Sequence, residues 1–171
     1  MENVILVNER DEQIGVEEKL KAHQEGKLHR AFSIFIFNDR KELLLQQRAL
    51  DKYHSGGLWT NTCCGHPRPE EDTVKAGQRR LNEEMGIVCE LKEIFSFVYK
   101  VEFQNGLTEN EFDHVLFGTY NDDPLPNLEE VESYRWITLA DLKSDIKNHP
   151  EIYSEWLKIC IDKVLEYKIN S

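Results

Sequence analysis

No apolar run in this chain approaches the ~20 residues that a membrane-spanning helix needs. The longest stretches, such as Ile34–Phe37, are only a few residues. Basic residues are also in deficit: 21 Lys and Arg stand against 32 Asp and Glu, for a formal net charge of -11. That balance excludes non-specific binding to nucleic acid, which requires clustered cations to neutralise phosphates. It still allows a small anionic substrate, provided that local cations or metals hold it. Four cysteines occur without a Cys-x-x-Cys pair, and the neighbours Cys63 and Cys64 cannot readily bridge to each other. Reduced thiols are therefore expected. The start, MENVILVNERDEQ, lacks a basic region followed by a long apolar segment, so no signal peptide is read there and a cytoplasmic protein is expected. Repeats, low-complexity runs and Gly/Ser linkers are missing too, which leaves one domain over residues 1–171.

What is present is an interleaving of short β-rich and helical segments. Val4–Val7 reads as a strand and Val16–Gln24 as a helix leading into the loop HQEGKLH. Ala31–Phe37 (AFSIFIF), dense in β-branched and aromatic residues, reads as a buried strand that turns at Asn38-Asp39 into Glu42–Gln47. Asp51–Gly57 is loop chemistry. Asp72–Met85 has the clearest helical spacing, with Asp72 or Thr73 as cap and Gly86 as terminator. Ile94–Phe103 and Phe112–Tyr120 read as long strands around the loop QNGLTENE. After the turn-rich NDDPLPN, a short strand at Tyr134–Ile137 precedes helices at Leu139–Lys147 and Ile152–Tyr167. This order predicts an α+β fold with a mixed β-sheet sandwich flanked by helices, not a doubly wound sheet.

Residues 59–67 read WTNTCCGHP. A redox pair, half of a metal site, or a catalytic thiol beside a metal ligand all fit those residue types, and the missing Cys-x-x-Cys weakens the first. From Gly65 the segment continues through Glu71, Arg79, Arg80, Leu81, Glu83, Glu84 and Gly86 to Ile87. That spacing over residues 65–87 resembles the Nudix box, G-x5-E-x7-R-E-U-x-E-E-x-G-U with U aliphatic. One position departs: the box has a carboxylate where this chain has Arg80. Residues 80, 83 and 84 share a helical face. In a Nudix hydrolase clustered carboxylates there bind divalent metal and activate water against a diphosphate. Arginine weakens such a cluster and adds a donor fork suited to phosphate oxygens. The plainer alternative is that Arg80 pairs with Glu83 or Glu84 on a solvated face.

Further matches in order along the chain resemble the type I isopentenyl-diphosphate Δ-isomerases, members of the Nudix superfamily: LHRAFSIFIFN (28–38), RALDKYHSGGLWTN (48–61), TNTCCGHP (60–67), ENE (109–111) and YSEW ending at Trp156. That resemblance implies interconversion of isopentenyl and dimethylallyl diphosphate for isoprenoid biosynthesis. It implies a centre of Mn²⁺, Mg²⁺ or Zn²⁺ held by His23, His29, His66, Glu109 and Glu111. It implies Cys64 and Glu111 as acid/base groups, and Tyr99 and Trp156 as aromatic groups of the isoprenoid pocket. Diphosphate contacts fall to Lys19, Arg48, Lys52 and Arg80, and Glu84 would hold a second Mg²⁺ with the substrate diphosphate. No flavin, nucleic acid or membrane is implied, and the protein would be a monomer or homodimer.

The residues support this reading on their own terms. Three His and two Glu form a donor set suited to Mn²⁺, Zn²⁺ or Mg²⁺. Glu109 and Glu111, two apart, share a face of an extended chain, as do Cys64 and His66. His54, His114 and His149 carry no motif signal and are assigned no role, and Cys63 is read as a structural neighbour. Two other functions compete. A Nudix hydrolase is disfavoured by Arg80, and a structural zinc module by the absence of paired Cys-x₂₋₄-Cys spacings.

Overall fold

Ala31–Phe37 lies at the centre of the molecule. In a computed structural model describing residues 1–170, it belongs to β3 (His29–Phe37). Ser171 of the expected domain lies outside the described residues. Strand β3 runs parallel to β8 (Thr108–Thr119) from the His29–Glu111 pair to the Phe37–Thr119 pair. Its other edge takes β6 (Cys63–Gly65) antiparallel, with Ser33 opposite Cys64. Around these three, β7 (Lys92–Glu102) pairs with β8, and β1 (Asn3–Val7) and β4 (Glu42–Arg48) pair with β3. The strands β2 (Gln13–Glu18), β5 (Trp59–Thr60) and β9 (Val131–Thr138) complete a mixed sheet.

Alternation along β3 divides the interior, because successive side chains of a strand point to opposite faces. Phe32, Ile34 and Ile36 pack with Ala76, Leu81 and Met85 of α2 (Thr73–Met85). Phe35 and Phe37 pack on the other side with Leu142 of α3 (Leu139–Asn148) and with Leu157, Ile161 and Val164 of α4 (Glu155–Ile169). Apart from Ala76, each of those buried side chains stabilises the fold by about 1.5–3 kcal/mol relative to exposure. The same face of β3 that meets α4 carries His29, Ala31 and Ser33 at its other end. There α4 no longer covers the sheet, and a cavity opens. The expected α+β architecture, a single domain of mixed sheet flanked by helices, is the one observed.

Helix α2 has the ends read from the sequence. The Asp72 side chain accepts from Lys75 N at 3.0 Å, and Gly86 closes the helix at φ 64°, its N–H bonded to Asn82 O. A Cβ on Gly86 would fall 2.8 Å from Leu125 O. Only glycine serves both conditions. Gly65 is required for a different reason: a Cβ there would meet Phe32 Cζ at 2.8 Å, so its bareness makes room for the Phe32 ring of β3.

Two expectations need correction. Helix character was expected from Val16 to Gln24, but Val16–Glu18 belongs to β2 and pairs with Ile5, Val4 and Asn3; α1 starts at Lys19 and spans Lys19–Glu25. The run VEEKLKAHQE suits a helix throughout, yet its first residues complete a hairpin. Asn8 nucleates that hairpin by accepting from the backbone N–H of Arg10 and Glu12. Tertiary pairing overrides local propensity here. Residues TENE were expected in a loop, but Thr108–Glu111 is the first part of β8, paired with Tyr99–Glu102. The turn itself is short, with Gly106 at φ 82° and Leu107 N bonded to Asn105 Oδ1.

Candidate active site

The uncovered end of the β3 face forms a cavity of about 160 Å³. Glu109, Glu111 and Asp113 line it because they alternate along β8, and Tyr99 joins them from its paired position opposite Glu111. Cys64 enters from β6 and Trp156 from the first turn of α4. Lys19, Arg48, Lys52, Arg80 and Glu84 occupy its remaining wall. His23 and His29 lie buried beside it, their ring centroids 4.8 Å apart and 5.7 and 5.1 Å from that of His66. Every site residue read from the sequence is therefore gathered in one place.

The histidine group has the features of an ion-binding site. One ring nitrogen of each of His23, His29 and His66 lies within 4.8 Å of the others. Buried nitrogens His23 Nε2, His29 Nε2 and His66 Nδ1 make no hydrogen bond. Unpartnered buried polar atoms are costly and rare, and a divalent cation is the ligand that three converging imidazoles would satisfy. The other ring nitrogens of His23 and His29 are anchored, Nδ1 approaching Lys19 O at 2.7 Å and Lys27 O at 2.8 Å. Such backbone anchors orient metal-binding histidines. Glu111 Oε2 lies 2.9 Å from His66 Nε2 and 3.4 Å from His29 Nε2. The residues present thus fit a divalent metal.

Burial pushes His23 below the ordinary histidine value and His66 down to about 4. Burial opposes ionisation of Glu111, but the adjacent His29 and His66 imidazoles outweigh it and hold its carboxyl well below the usual range. His29 responds in kind: burial opposes its charge, the Glu111 carboxylate outweighs burial, and its pKa is raised. Tyr99 donates to Glu111 Oε1 and, at 3.0 Å, to Glu109 Oε2.

Cys64 lines the same cavity from β6. Its thiol donates to Asn61 Oδ1 at 3.2 Å and lies 3.7 Å from Ser33 Oγ. Ser33 in turn donates to Asp113 Oδ2 at 2.6 Å. Burial, with the nearby Asp113 charge adding to it, pushes the Cys64 thiol well up. The neighbouring Cys63 faces away from the cavity, fully buried, and donates to Glu84 Oε2 at 2.8 Å. Adjacent residues of a strand point to opposite sides, which separates the two thiols.

The third part of the cavity is cationic. Arg48 lies over the Trp156 ring, its Cζ 5.3 Å from the centroid, and its buried Nε has no hydrogen-bond partner. Lys52 is paired with Glu130, and Lys19 with Glu2 at 3.2 Å. Arg80 adopts both readings of its position. It pairs with Glu83 at 2.7 Å and Glu84 at 2.6 Å, approaches Glu130 at 3.7 Å, and still faces the cavity.

Sequence reasoning missed several residues that the fold brings here. Asp113 continues the two-residue alternation of Glu109 and Glu111, but the ENE motif that singled out those two stops at Glu111. Asn61 is fully buried and bonds both Cys64 and Trp156. Glu130, in a turn-rich segment, meets Lys52 and Arg80 only through tertiary folding. His54, assigned no role, is buried with Nε2 3.0 Å from Glu109 Oε1. His114 and His149 lie outside the cavity, paired with acidic neighbours.

A model of the NUDIX domain matches residues 27–158. In shape the chain is similar to a crystal structure from Deinococcus radiodurans, with TM-score 0.79 over 95% of this chain and 98% of that one, at 21% identity. A likeness at that identity speaks for the fold. Sequence similarity is much closer to isopentenyl-diphosphate Delta-isomerase 1 of Aromatoleum aromaticum, 56% identical over 96% of this chain and 93% of that protein. An isopentenyl-diphosphate Delta-isomerase of Burkholderia multivorans is 49% identical over 95% of this chain and 92% of its own. The chain belongs to the isopentenyl-diphosphate Delta-isomerase family of NUDIX-domain proteins.

Proposed function

We propose that this chain interconverts isopentenyl diphosphate and dimethylallyl diphosphate by moving one proton in and one proton out of the substrate. The observation that carries this reading is that Cys64 and Glu111 line one small cavity together with Trp156 and Tyr99 and with the cations Lys19, Arg48, Lys52 and Arg80. An unactivated alkene is isomerised by protonating its terminal carbon and removing a proton from C2. That work needs a donor and an acceptor on opposite sides of the carbon chain. A neutral thiol and an ionised carboxylate hold one proton between them, which is what such a shuttle requires in either direction.

Between the two proton transfers, positive charge develops on the tertiary carbon. The Trp156 face suits it: the ring already attracts the Arg48 guanidinium, and a desolvated cation–π contact is worth about 2 kcal/mol. Tyr99, buried and bonded to both carboxylates, closes the cavity and excludes water that would capture the cation. The unpartnered Arg48 Nε, with Lys19, Lys52 and Arg80, anchors the diphosphate.

His23, His29, His66, Glu109 and Glu111 would hold Mn²⁺, Mg²⁺ or Zn²⁺, and Glu84 a Mg²⁺ carried with the diphosphate. Bound there, the first cation supplies fixed positive charge that tunes the proton affinity of Glu111. The reaction uses no flavin, and a cytoplasmic location belongs to the same reading. No helix among the described residues is long and apolar enough to cross a membrane. Purified protein given isopentenyl diphosphate and Mg²⁺ should form dimethylallyl diphosphate. Release of inorganic phosphate from nucleoside diphosphates, without isomerisation, would point to hydrolysis instead.

A further inference from the structure

His54 belongs to the loop between β4 and β5, whose neighbours Leu50 and Tyr53 are exposed while His54 itself is buried. The loop bends sharply to turn it inward. Ser55 holds φ 54°, a left-handed conformation that non-glycine residues rarely adopt. Gly57 follows at φ 79°. The imidazole then stacks on Phe103, centroids 4.7 Å apart and planes 11° from parallel, and meets the edge of Trp156 at 5.9 Å. Asn105 Nδ2 donates to Tyr53 O at 2.9 Å, tying the loop to the β7–β8 turn. Arg48 Nη2 donates to His54 O at 3.3 Å.

One polar contact of the ring points at the proposed metal centre. Nε2 lies 3.0 Å from Glu109 Oε1, while Nδ1 lies 3.3 Å from Ser55 Oγ. A carboxylate oxygen accepts, so Nε2 carries the proton and Nδ1 takes the Ser55 hydroxyl. Glu109 Oε2 receives Tyr99 at 3.0 Å, so the carboxylate is held from both sides. His54 also forms a group with His23 and Glu109 whose donor atoms lie within 4.8 Å of one another. It is not grouped in this way with His29 and His66, so its place is beside the three-histidine cluster.

We propose that His54 is a positioning residue of the metal centre: through its Nε2–H it fixes the Glu109 carboxylate toward the cation and couples it to the Trp156 wall and Arg48. The inference rests on the reading that Glu109 is a metal ligand. Partners of metal-bound carboxylates behave in this way, and removing one typically costs roughly 10–100-fold in metal affinity or activity. A packing histidine alone would contribute to stability and leave affinity untouched.

The test is Mn²⁺ affinity, measured by chelator competition on the full chain alongside thermal unfolding. The proteins compared are wild type, His54→Phe, which keeps the stack without a donor, and His54→Gln, whose amide N–H reaches about as far as Nε2. The Phe variant should bind Mn²⁺ roughly 10–100-fold more weakly, and the Gln variant should recover most of that loss. If wild type binds Mn²⁺ and the folded Phe variant binds it equally well, His54 is only a packing residue and the proposal falls. Wild type that takes up no Mn²⁺ would overturn the metal reading of Glu109 and this role with it. Should the Phe variant fail to fold, the Gln and Asn variants decide: Gln binding near wild type with Asn clearly weaker supports the role, and equal binding by both overturns it.

Discussion

Cys64 and Trp156 donate hydrogen bonds to the same atom. Asn61 Oδ1 receives the thiol at 3.2 Å and the indole Nε1 at 3.2 Å, and Thr60 Oγ1 approaches it at 2.9 Å. The orientation of the amide is unambiguous, because Nδ2 donates to Ile34 O and Cys63 O at 3.0 Å each. Ser154, the cap of α4, donates to Thr60 Oγ1 at 2.8 Å. The helix bearing the aromatic wall is thus tied through one side chain to the strand bearing the thiol.

Asn61→Ala should therefore damage two things together. Ile34 O and Cys63 O would be left without the donor that satisfies them, each costing about 1–3 kcal/mol. The thiol and the ring would lose their common reference point. A lower melting temperature with a reduced kcat and a nearly unchanged KM is expected, since Asn61 does not touch the diphosphate end. Steady-state kinetics beside calorimetry decide it, and a raised KM at full kcat would contradict the assignment.

The two cysteines should separate in function. Cys64→Ala should lower isomerase activity by roughly 10²–10⁴-fold, the usual worth of a positioned acid/base group. Cys63→Ala should keep most activity but unfold at lower temperature, because it empties a fully buried site and removes the donor to Glu84. Full activity of the Cys64 variant would remove the thiol from the mechanism.

Arg80→Glu restores the box carboxylate, but in this fold it would place a fourth negative charge beside Glu83, Glu84 and Glu130. The expected result is a KM for isopentenyl diphosphate raised at least about tenfold, equivalent to ~1.4 kcal/mol of lost binding, with a less stable protein. Arg80→Lys should fall between the two, since an ammonium lacks the planar fork. A KM unchanged in the Glu variant would assign Arg80 to helix pairing alone.

Metal uptake should release protons. His23 and His66 are pushed below the ordinary histidine value, so they are already neutral at neutral pH. His29 is raised, and a metal ligand must be deprotonated. Binding therefore expels the proton that His29 carries, and affinity declines as pH falls through the raised His29 pKa. Calorimetry of Mn²⁺ binding in buffers of different ionisation enthalpy measures the count; a heat independent of buffer would contradict it. Complete chelation should abolish isomerisation.

How far the sequence could be read followed the range of the interactions. The α2 caps were legible because capping is local, and Glu109, Glu111, Cys64 and His66 were legible because they stand in short motifs, ENE and TNTCCGHP, that resemble the family's. The β2 hairpin was not, since VEEKLKAHQE favours a helix until β1 claims its first residues. Glu130 could not be placed, because only folding brings a turn-rich segment against Lys52 and Arg80. Asn61 lay inside a motif whose cysteines and histidine drew the chemical reading, though its burial gives it more partners than either cysteine. His54 stands inside RALDKYHSGGLWTN without an assigned role there, and its meaning comes from Glu109, far along the chain.

The division of β3 into alternate residues has a consequence for how this protein can change. Its even positions Phe32, Ile34 and Ile36 pack on the α2 side, Phe32 also reaching the cavity wall, while its odd positions supply Ser33 to the cavity, place His29 beside it, and give Phe35 and Phe37 to the α4 side. Substitutions at Ile34 and Ile36 can adjust the dry interior without touching the cavity. A one-residue insertion inside the strand has no such tolerance. It would slip the frame, turn the serine toward the greasy side and a phenylalanine into the chamber, and erase fold and activity in one step.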